Sequence, residues 1–385
     1  MDVIDPANWG GPATARVLER AVRMMKGEIL PGRPDPEGLQ ELFRVVAPGE
    51  DLGDPRYVTW LYDRNPAGRA IEFITRNRDR VTGHIAIVPL RYKMGARAAL
   101  GSMAVNAITH PEHRGRGIFI ILHDLGFQAA AAAEIPFTFG YANMNSEKGC
   151  LRHLGYGELA RIPLWILPLN LPKILASQPG MKNSFGRALG RLAGPPAAVW
   201  RGIRRPLRRD SIVVEKIAEA GPEFDGLWAA ASNTASHILL RDRAFVEWRF
   251  VQAPTRRYDL LAARSNGRLV GYLAGRTTVV GGLTWGLIVD LLTEPTPNGR
   301  AAGARLVAEY HRRARSEGAD LVAALMFKHA PGASALRRNG HFVCPSFLLP
   351  REFPALLRWY GRDPAPPGLF NPKTWFITLA DYDAA

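Results

Sequence analysis

The stretch from Val105 to Ala133 constrains this 385-residue chain more than any other. Val105-Asn-Ala-Ile-Thr109 reads as a short strand. His110-Pro111 ends it, because the residue before a proline is pushed toward extended geometry. Arg114-Gly-Arg-Gly117 makes a tight basic turn, and Ile118 to Ala133 reads as a helix rich in alanine and leucine. Strand, glycine turn and helix together place unpaired backbone N–H groups at a helix N-terminus, where the helix dipole favours an anion. The glycines let a ligand come close, and the two arginines add fork-shaped donors. The stretch reads as a cradle for a pyrophosphate.

The details narrow the ligand. A P-loop requires a Gly-Lys-Ser/Thr ending that is absent here. A dinucleotide fingerprint requires a third glycine where this chain has Ile120. The turn instead resembles the acyl-CoA loop of the GNAT acyltransferase superfamily, Arg/Gln-x-x-Gly-x-Gly/Ala. Arg114 and Gly117 stand at the first two fixed positions, and Phe119 replaces the final small residue. A second stretch, Tyr141 to Tyr156, resembles a later motif of the same family. There an asparagine follows a strand and precedes a helix ending in Leu-Gly-aromatic, with Gly155 suited to the helix end.

The resemblance implies an α/β (α+β) fold, a mixed twisted β-sheet flanked by helices, over residues 31–170. It implies acetyl-CoA or a related acyl-CoA as co-substrate, bound by Ile108, Thr109, His113, Arg114, Gly115, Arg116, Gly117, Ile118, Asn143 and Asn145. Asn143 or Asn145 would bond the pantetheine arm or cap the following helix. No metal is expected.

The catalytic half is sparser. The family often carries a glutamate on the strand before the cradle, but Ser102-Met-Ala-Val-Asn106 holds no acid. The position of the family's tyrosine acid is Leu151. The remaining catalytic candidates are His84 on a strand, His110 beside the cradle and Asn106 as a polar strand group. His84 is the candidate base, acting directly or through water. The bland alternative is a histidine packed in the sheet and bonded to a backbone carbonyl.

Beyond the cradle, length favours two domains. Residues 1–30 form an extension in which Ala13 to Gly27 reads as a basic amphipathic helix. Pro31 to Pro36 breaks the chain. Residues 37–64 look helical in pieces, with Trp60 and Tyr62 as core candidates. Strands are expected at Ile71–Thr75, Thr82–Val88 and Ile162–Leu169. Residues 211–385 read as a second, degenerate copy of the first fold. Tyr57, Trp60, Pro66 and Gly83 match Phe245, Trp248, Pro254 and Gly271 without a gap, while Val105, Pro111 and Arg116 match Val289, Pro295 and Arg300. In the copy, Arg114-Gly-Arg-Gly117 becomes Asn298-Gly-Arg-Ala301, and Asn143 and Asn145 become Lys328 and Ala330. That half would shape the acceptor site or a homodimer. Asn371 to Leu379 reads as a closing strand.

Between the halves lies a basic linker, 171–210. Its stretch 171–209 has nine lysines and arginines and no acid. It reads either as a solvated linker or as a short basic element lying on anionic lipid. The formal net charge of +15 suits anionic partners. No zinc-finger spacing or RNA-recognition aromatic motif accompanies it, which disfavours nucleic acid. Two cysteines without metal spacing, no signal-peptide pattern and no long apolar run suggest a cytoplasmic protein, or one peripheral at the inner face of the membrane.

The function implied is acetyl transfer from acetyl-CoA to a primary amine of a small acceptor, such as an amino sugar or nucleotide sugar. The alternatives are a membrane-associated acyltransferase with a longer acyl donor and a non-catalytic CoA-binding scaffold.

Overall fold

The computed structural model describes residues 19–21, 23–25, 27–143, 146–177, 212–346, 349 and 351–382. The expected basic segment beyond residue 177, Asn145, and the start of the N-terminal helix lie outside them. The chain forms two compact units, each built from discontinuous segments.

The first unit takes residues 1–161, 253–255 and 353–374. Its sheet runs in the order β1 (Glu28–Pro31), β2 (Ile71–Asn77), β3 (Arg80–Met94), β4 (Arg97–Thr109), β5 (Phe137–Gly140), β15 (Pro354–Trp359) and β6 (Gly157–Arg161). The β2–β3 and β3–β4 pairs are antiparallel and the β4–β5 pair is parallel, so the sheet is mixed. Helix α1 (Pro36–Val46) starts at an N-cap, Asp35, that accepts from Gly38 N–H, and α2 (Pro55–Tyr62) starts likewise at Asp54. Both carry proline in the first turn, where its missing N–H is harmless. Trp60 and Tyr62 are buried, as expected.

Helix α3 (Ile118–Ala132) is apolar around most of its circumference. It packs Ile118, Ile121, Leu122, Phe127 and Ala130 into a core shared with Ile85 and Ile87 of β3 and with Leu154 and Tyr156 beyond α4 (Glu147–His153). Fully burying side chains of this kind contributes roughly 1.5–3 kcal/mol each. Here that burial fixes the start of α3 against the end of β4.

The second unit takes residues 162–252, 256–352 and 375–385. Its seven-stranded sheet runs β14 (Phe342–Val343), β7 (Leu164–Pro168), β13 (Leu321–Leu325), β12 (Leu283–Thr293), β11 (Arg268–Val280), β10 (Asp259–Ser265) and β8 (Ile212–Ile217). Helix α8 (Pro297–Ser316) follows β12 as α3 follows β4, and α9 (Pro331–Arg338) packs beside it. Between β7 and β8, α5 (Leu171–Ser177) is tied down by Lys173 Nζ, 2.6 Å from Asp320. Helices α6 (Glu223–Ala231) and α7 (Arg243–Val246) follow β8, with the short strand β9 (His237–Leu239) between them.

Three local expectations differ from this arrangement. The strand expected at Ile162–Leu169 exists, but it pairs with β13 rather than joining the first sheet. Conversely β15, from the C-terminal third, pairs with both β5 and β6. Each sheet therefore completes itself with a strand distant in sequence, and the expected boundaries 31–170 and 211–385 do not coincide with the units. The closing strand is only Trp375–Phe376, because 3-10 turns at Pro372–Thr374 and Leu379–Asp381 bracket it. No helix among the described residues is long and apolar enough to cross a membrane.

Candidate active site

The cradle forms where β4 ends. A 3-10 turn, Pro111–His113, follows His110, and the chain then passes through Arg114, Gly115, Arg116 and Gly117 into α3. Gly115 and Gly117 both adopt positive φ, 75° and 79°. That left-handed backbone is where glycine is favoured. Gly117 is the N-cap of α3 and offers no side-chain oxygen to the helix. The first-turn N–H groups are thus left without a side-chain cap. Arg114 is exposed and only weakly tethered, its Nε 3.4 Å from Thr109 O. Arg116 lies 3.4 Å from His113 Nδ1.

One surface of this cradle is already covered. A Cβ placed on Gly117 would fall on Ala21 Cβ and 2.7 Å from Ala21 Cα. Ala21 is itself buried in the same apolar cluster as Ile118. The glycine is therefore required for contact with the N-terminal segment, whereas Gly115 faces open space.

Beside the cradle, β4 and β5 part company. They pair only at Ser102–Thr138 and Met103–Phe139. Further along β4, the register with β3 breaks: His84 pairs with Ile108 and Ala86 with Val105, so Asn106 and Ala107 bulge out of the ladder. Asn106 has φ 52°, a left-handed conformation that asparagine tolerates better than most residues. Ile108 and Thr109 lie between this bulge and the cradle, partly exposed.

His84 is wholly buried. Its Nδ1 lies 3.1 Å from Asn106 O and its Nε2 3.4 Å from Glu72 Oε2. The ring is stacked on Tyr62 and meets Phe43 edge-on. Asn106 Nδ2 donates to Tyr62 Oη at 2.6 Å. Two of the three groups put forward for catalysis, His84 and Asn106, are thus engaged within the protein. His110 is also buried; its Nδ1 accepts from Glu112 N–H, and its Nε2 has no hydrogen-bond partner among the described residues. Since Nδ1 accepts, the proton of neutral His110 sits on Nε2, which makes that atom a donor suited to an anion.

His110, Glu112 and His113 bring three possible ligand atoms within 4.8 Å of one another. Arg80 lies 3.2 Å from Glu112 and Arg116 adjoins His113, surroundings that disfavour a cation. Burial, reinforced by Arg116, lowers the pKa of His113 and favours its neutral form. Asn143 sits before α4, where its Oδ1 accepts from Ser146 N–H at 3.1 Å. Gly155 takes φ 65° just beyond that helix. A separate cleft of about 800 Å³, lined by Arg97, Ala99, Ala131, Pro136 and Trp359, opens beside the start of β4 and the end of α3. None of the expected site residues lines it.

Sequence reasoning missed Arg33 and Glu72. Glu72 lies diagonally from His84 across the β2–β3 pair, on the same sheet face. Arg33 Nε is 2.9 Å from Glu72 and its NH2 group 2.6 Å from Asp63. Burial alone would lower the Arg33 pKa, but Asp63 and Glu72 raise it above the ordinary value. The available signal was a carboxylate inside the apolar run Ile71-Glu-Phe-Ile, one strand away from a histidine.

The sequence matches no protein-family profile and no curated protein. Its fold does match solved structures. One is a GCN5-related N-acetyltransferase from Anabaena variabilis ATCC 29413, at TM-score 0.58 and 14% identity over 87% of this chain and 73% of that one. Another is a conserved protein of unknown function from Enterococcus faecalis V583, given as a probable N-acyltransferase, at TM-score 0.56 and 10% identity with the same coverage. At such identities the likeness is one of architecture, and this chain has the GCN5-related N-acetyltransferase (GNAT) fold.

Proposed function

We propose that the chain is an acyl-CoA-dependent N-acyltransferase. Acetyl-CoA or a related acyl-CoA binds the first unit, and a primary amine of a small acceptor, such as an amino sugar or nucleotide sugar, receives the acyl group. One observation carries this reading. The start of α3 has no side-chain cap and directly follows the turn that carries Arg114 and Arg116, and β4, which leads into that turn, pairs with β5 no further along than Met103. The diphosphate would take the uncapped N–H groups and arginines. The extended pantetheine arm would follow β4 where β5 no longer pairs with it. His110 Nε2, buried at the same turn and without a partner among the described residues, would add a donor only if the turn opened.

In the reaction, the neutral amine nitrogen attacks the acyl carbon, a C–N bond forms and the C–S bond breaks. CoA leaves as the thiolate and is protonated by solvent, while the amine proton departs to water. Positioning of the two reactants supplies much of the rate. His84 as the base would have to act through other groups, since both its ring nitrogens are engaged.

Titration calorimetry with CoA and acetyl-CoA, followed by thiol release in the presence of an amine panel, tests the reading. Binding with amine-dependent thiol release is expected. Binding without turnover would favour the CoA-binding scaffold, and no binding would overturn the acyl-CoA reading.

A further inference from the structure

The cleft at the far end of α3 is built from the first unit alone. Its aromatic wall is held in place. The Trp359 indole stacks on Phe137, the rings 14° from coplanar, and its Nε1–H donates to Asp363 O at 3.0 Å. Gly361 lies against the same indole, since a Cβ there would come 2.7 Å from Trp359 Cζ2. Tyr360 Oη shares a 2.6 Å hydrogen bond with Thr138 Oγ1, which in turn meets Ser102 Oγ at 2.7 Å. Ser102 and Thr138 are wholly buried. A wall fixed in this way need not be ordered when a ligand arrives. At about 800 Å³ the cleft has the size of a small-molecule site.

Its rim is charged. Arg97 opens β4, Glu134 follows α3, and Arg362 and Asp363 lie in the turn that the indole closes. None of these four side chains forms an ion pair or hydrogen bond with a described residue. Two charges of each sign thus share one cleft without neutralising one another. Glu134 also has φ 58°, immediately after the helix C-cap Ala133, where glycine is usual. A left-handed glutamate costs on the order of 1 kcal/mol, and such outliers gather at functional sites. The end of α3 beside it carries partial negative charge, which favours a cation.

We propose that this cleft is a second binding site, for a free amino acid with an apolar or aromatic side chain. Arg97 and Arg362 take its carboxylate. Glu134, Asp363 and the end of α3 take its ammonium group, and Trp359 and Tyr360 take its side chain. A zwitterion answers both signs of charge, whereas a simple acid or amine brings one charge toward its like. The site is independent of the acyl-CoA reading. Helix α3, 15 residues long, starts at the cradle and ends at the cleft, which sets the two about 22 Å apart.

The test is calorimetry on the full chain. The probes are L-phenylalanine, L-leucine and L-methionine, with 3-phenylpropionate and phenethylamine as single-charge controls. At least one amino acid should bind at millimolar concentration or below, equally with and without CoA. The single-charge controls should bind at least about tenfold more weakly, the scale of one charge-assisted hydrogen bond. E134G removes a carboxylate while relaxing the backbone, so it should fold at least as well as the wild type and weaken the amino acid by about tenfold. R97A combined with R362A should weaken it further, and both variants should keep the wild-type response to CoA. No binding by any of the three amino acids would overturn the site. So would controls that bind as tightly as the amino acids, or amino-acid affinity unchanged in E134G and in the double arginine variant.

Discussion

The two units present the same strand–turn–helix corner in two states. In the first, β4 runs into a glycine turn, and α3 begins only at Ile118 behind an N-cap without a side chain. In the second, the helix begins directly at Pro297, and the Thr296 hydroxyl accepts from Gly299 N–H at 3.0 Å. Residues that form an open turn in one unit are the first turn of a helix in the other. A Cβ on Gly299 would overlap the Glu294 carbonyl oxygen, so backbone fills the space that lies open beside Gly115. The bulges differ too. Asn106 is left-handed, whereas none of Ala274, Gly275, Ile288, Val289 and Asp290, at the register break of the second sheet, has positive φ. A helix start capped by its own side chain has those N–H groups satisfied, whereas one without such a cap leaves them to water or to an anion.

Behind each bulge lies a buried charge network, and its removal should have the largest effect. In the second unit Arg241, fully buried, meets Asp290 at 3.0 Å and Asp381 at 2.6 Å, and donates to Thr378 and to Leu239 O. Tyr272 Oη donates to Asp290 at 2.6 Å. Despite burial, the two aspartates raise the Arg241 pKa well above its ordinary value, while burial raises that of Asp381. Arg241→Ala leaves two carboxylates buried and unpaired, and should destabilise the protein by about 3–5 kcal/mol. Thermal unfolding measures this. A loss below 1 kcal/mol would mean that water or local rearrangement replaces the guanidinium. The corresponding Arg33→Ala opens a partly exposed site and should cost less.

Next in size is the cradle itself. Titration should find one CoA per chain, in the first unit. Gly117→Val would drive a side chain into Ala21 and force a left-handed valine, so the turn must move. CoA affinity should fall by roughly 100-fold, the scale of two charge-assisted hydrogen bonds. Two equal sites in the wild type would erase the contrast between the corners.

The local parts of this architecture were legible in the sequence and the long-range parts were not. The cradle could be read because everything that makes it is contiguous: a strand, a proline stop, two glycines and an apolar helix. Of the positions matched between the two halves, Gly83 stands opposite Thr109 and Gly271 opposite Thr293 in their own sheets. The partners of β15 could not be read, because Leu356 pairs with Gly140 and nothing local records that. Nor could the surroundings of His84. A lone histidine in an apolar strand is more often a core group than a base, and nothing local shows that its partner is Glu72, which register places diagonally beside it. Ala21 over Gly117 was hidden likewise, since alanine carries no signal of what it touches.

Acid should separate the units more gently. Burial lowers His341, in the second unit, to about 3, and His123, in α3, to about 4. Each folded state holds its histidine neutral, while the unfolded chain takes up a proton near pH 6.5. Stability is therefore lost as pH falls below 6.5, by about 2 kcal/mol per histidine on reaching pH 5. In the first unit, Asp124 opposes this. Burial raises its pKa to about 6, outweighing the hydrogen bond from Gln128, so the folded state binds a proton more readily than the unfolded one and gains stability between pH 6 and 4. The net loss from pH 6.5 to 5 should fall mainly on the second unit. His341→Gln should flatten the pH dependence of denaturant midpoints more than Asp124→Asn steepens it. The reverse order would show that His341 is relieved by a neighbour or by water.

The smallest effect isolates the cap. Thr296→Ala removes the oxygen that satisfies Gly299 N–H and should cost about 1 kcal/mol of stability. If the cap alone closed the second corner, the freed N–H groups would bind CoA once Asn298→Arg and Ala301→Gly restored the residues of the first turn. The geometry argues otherwise. Pro297 to Ala301 are already helical, and Ala302 and Gly303 are buried beneath them. Gly299 packs on the Glu294 backbone, where no phosphate can enter. The triple variant is therefore expected to unfold slightly earlier and still bind a single CoA per chain. A second site in calorimetry would show that only the threonine and two side chains separate a closed corner from an open one.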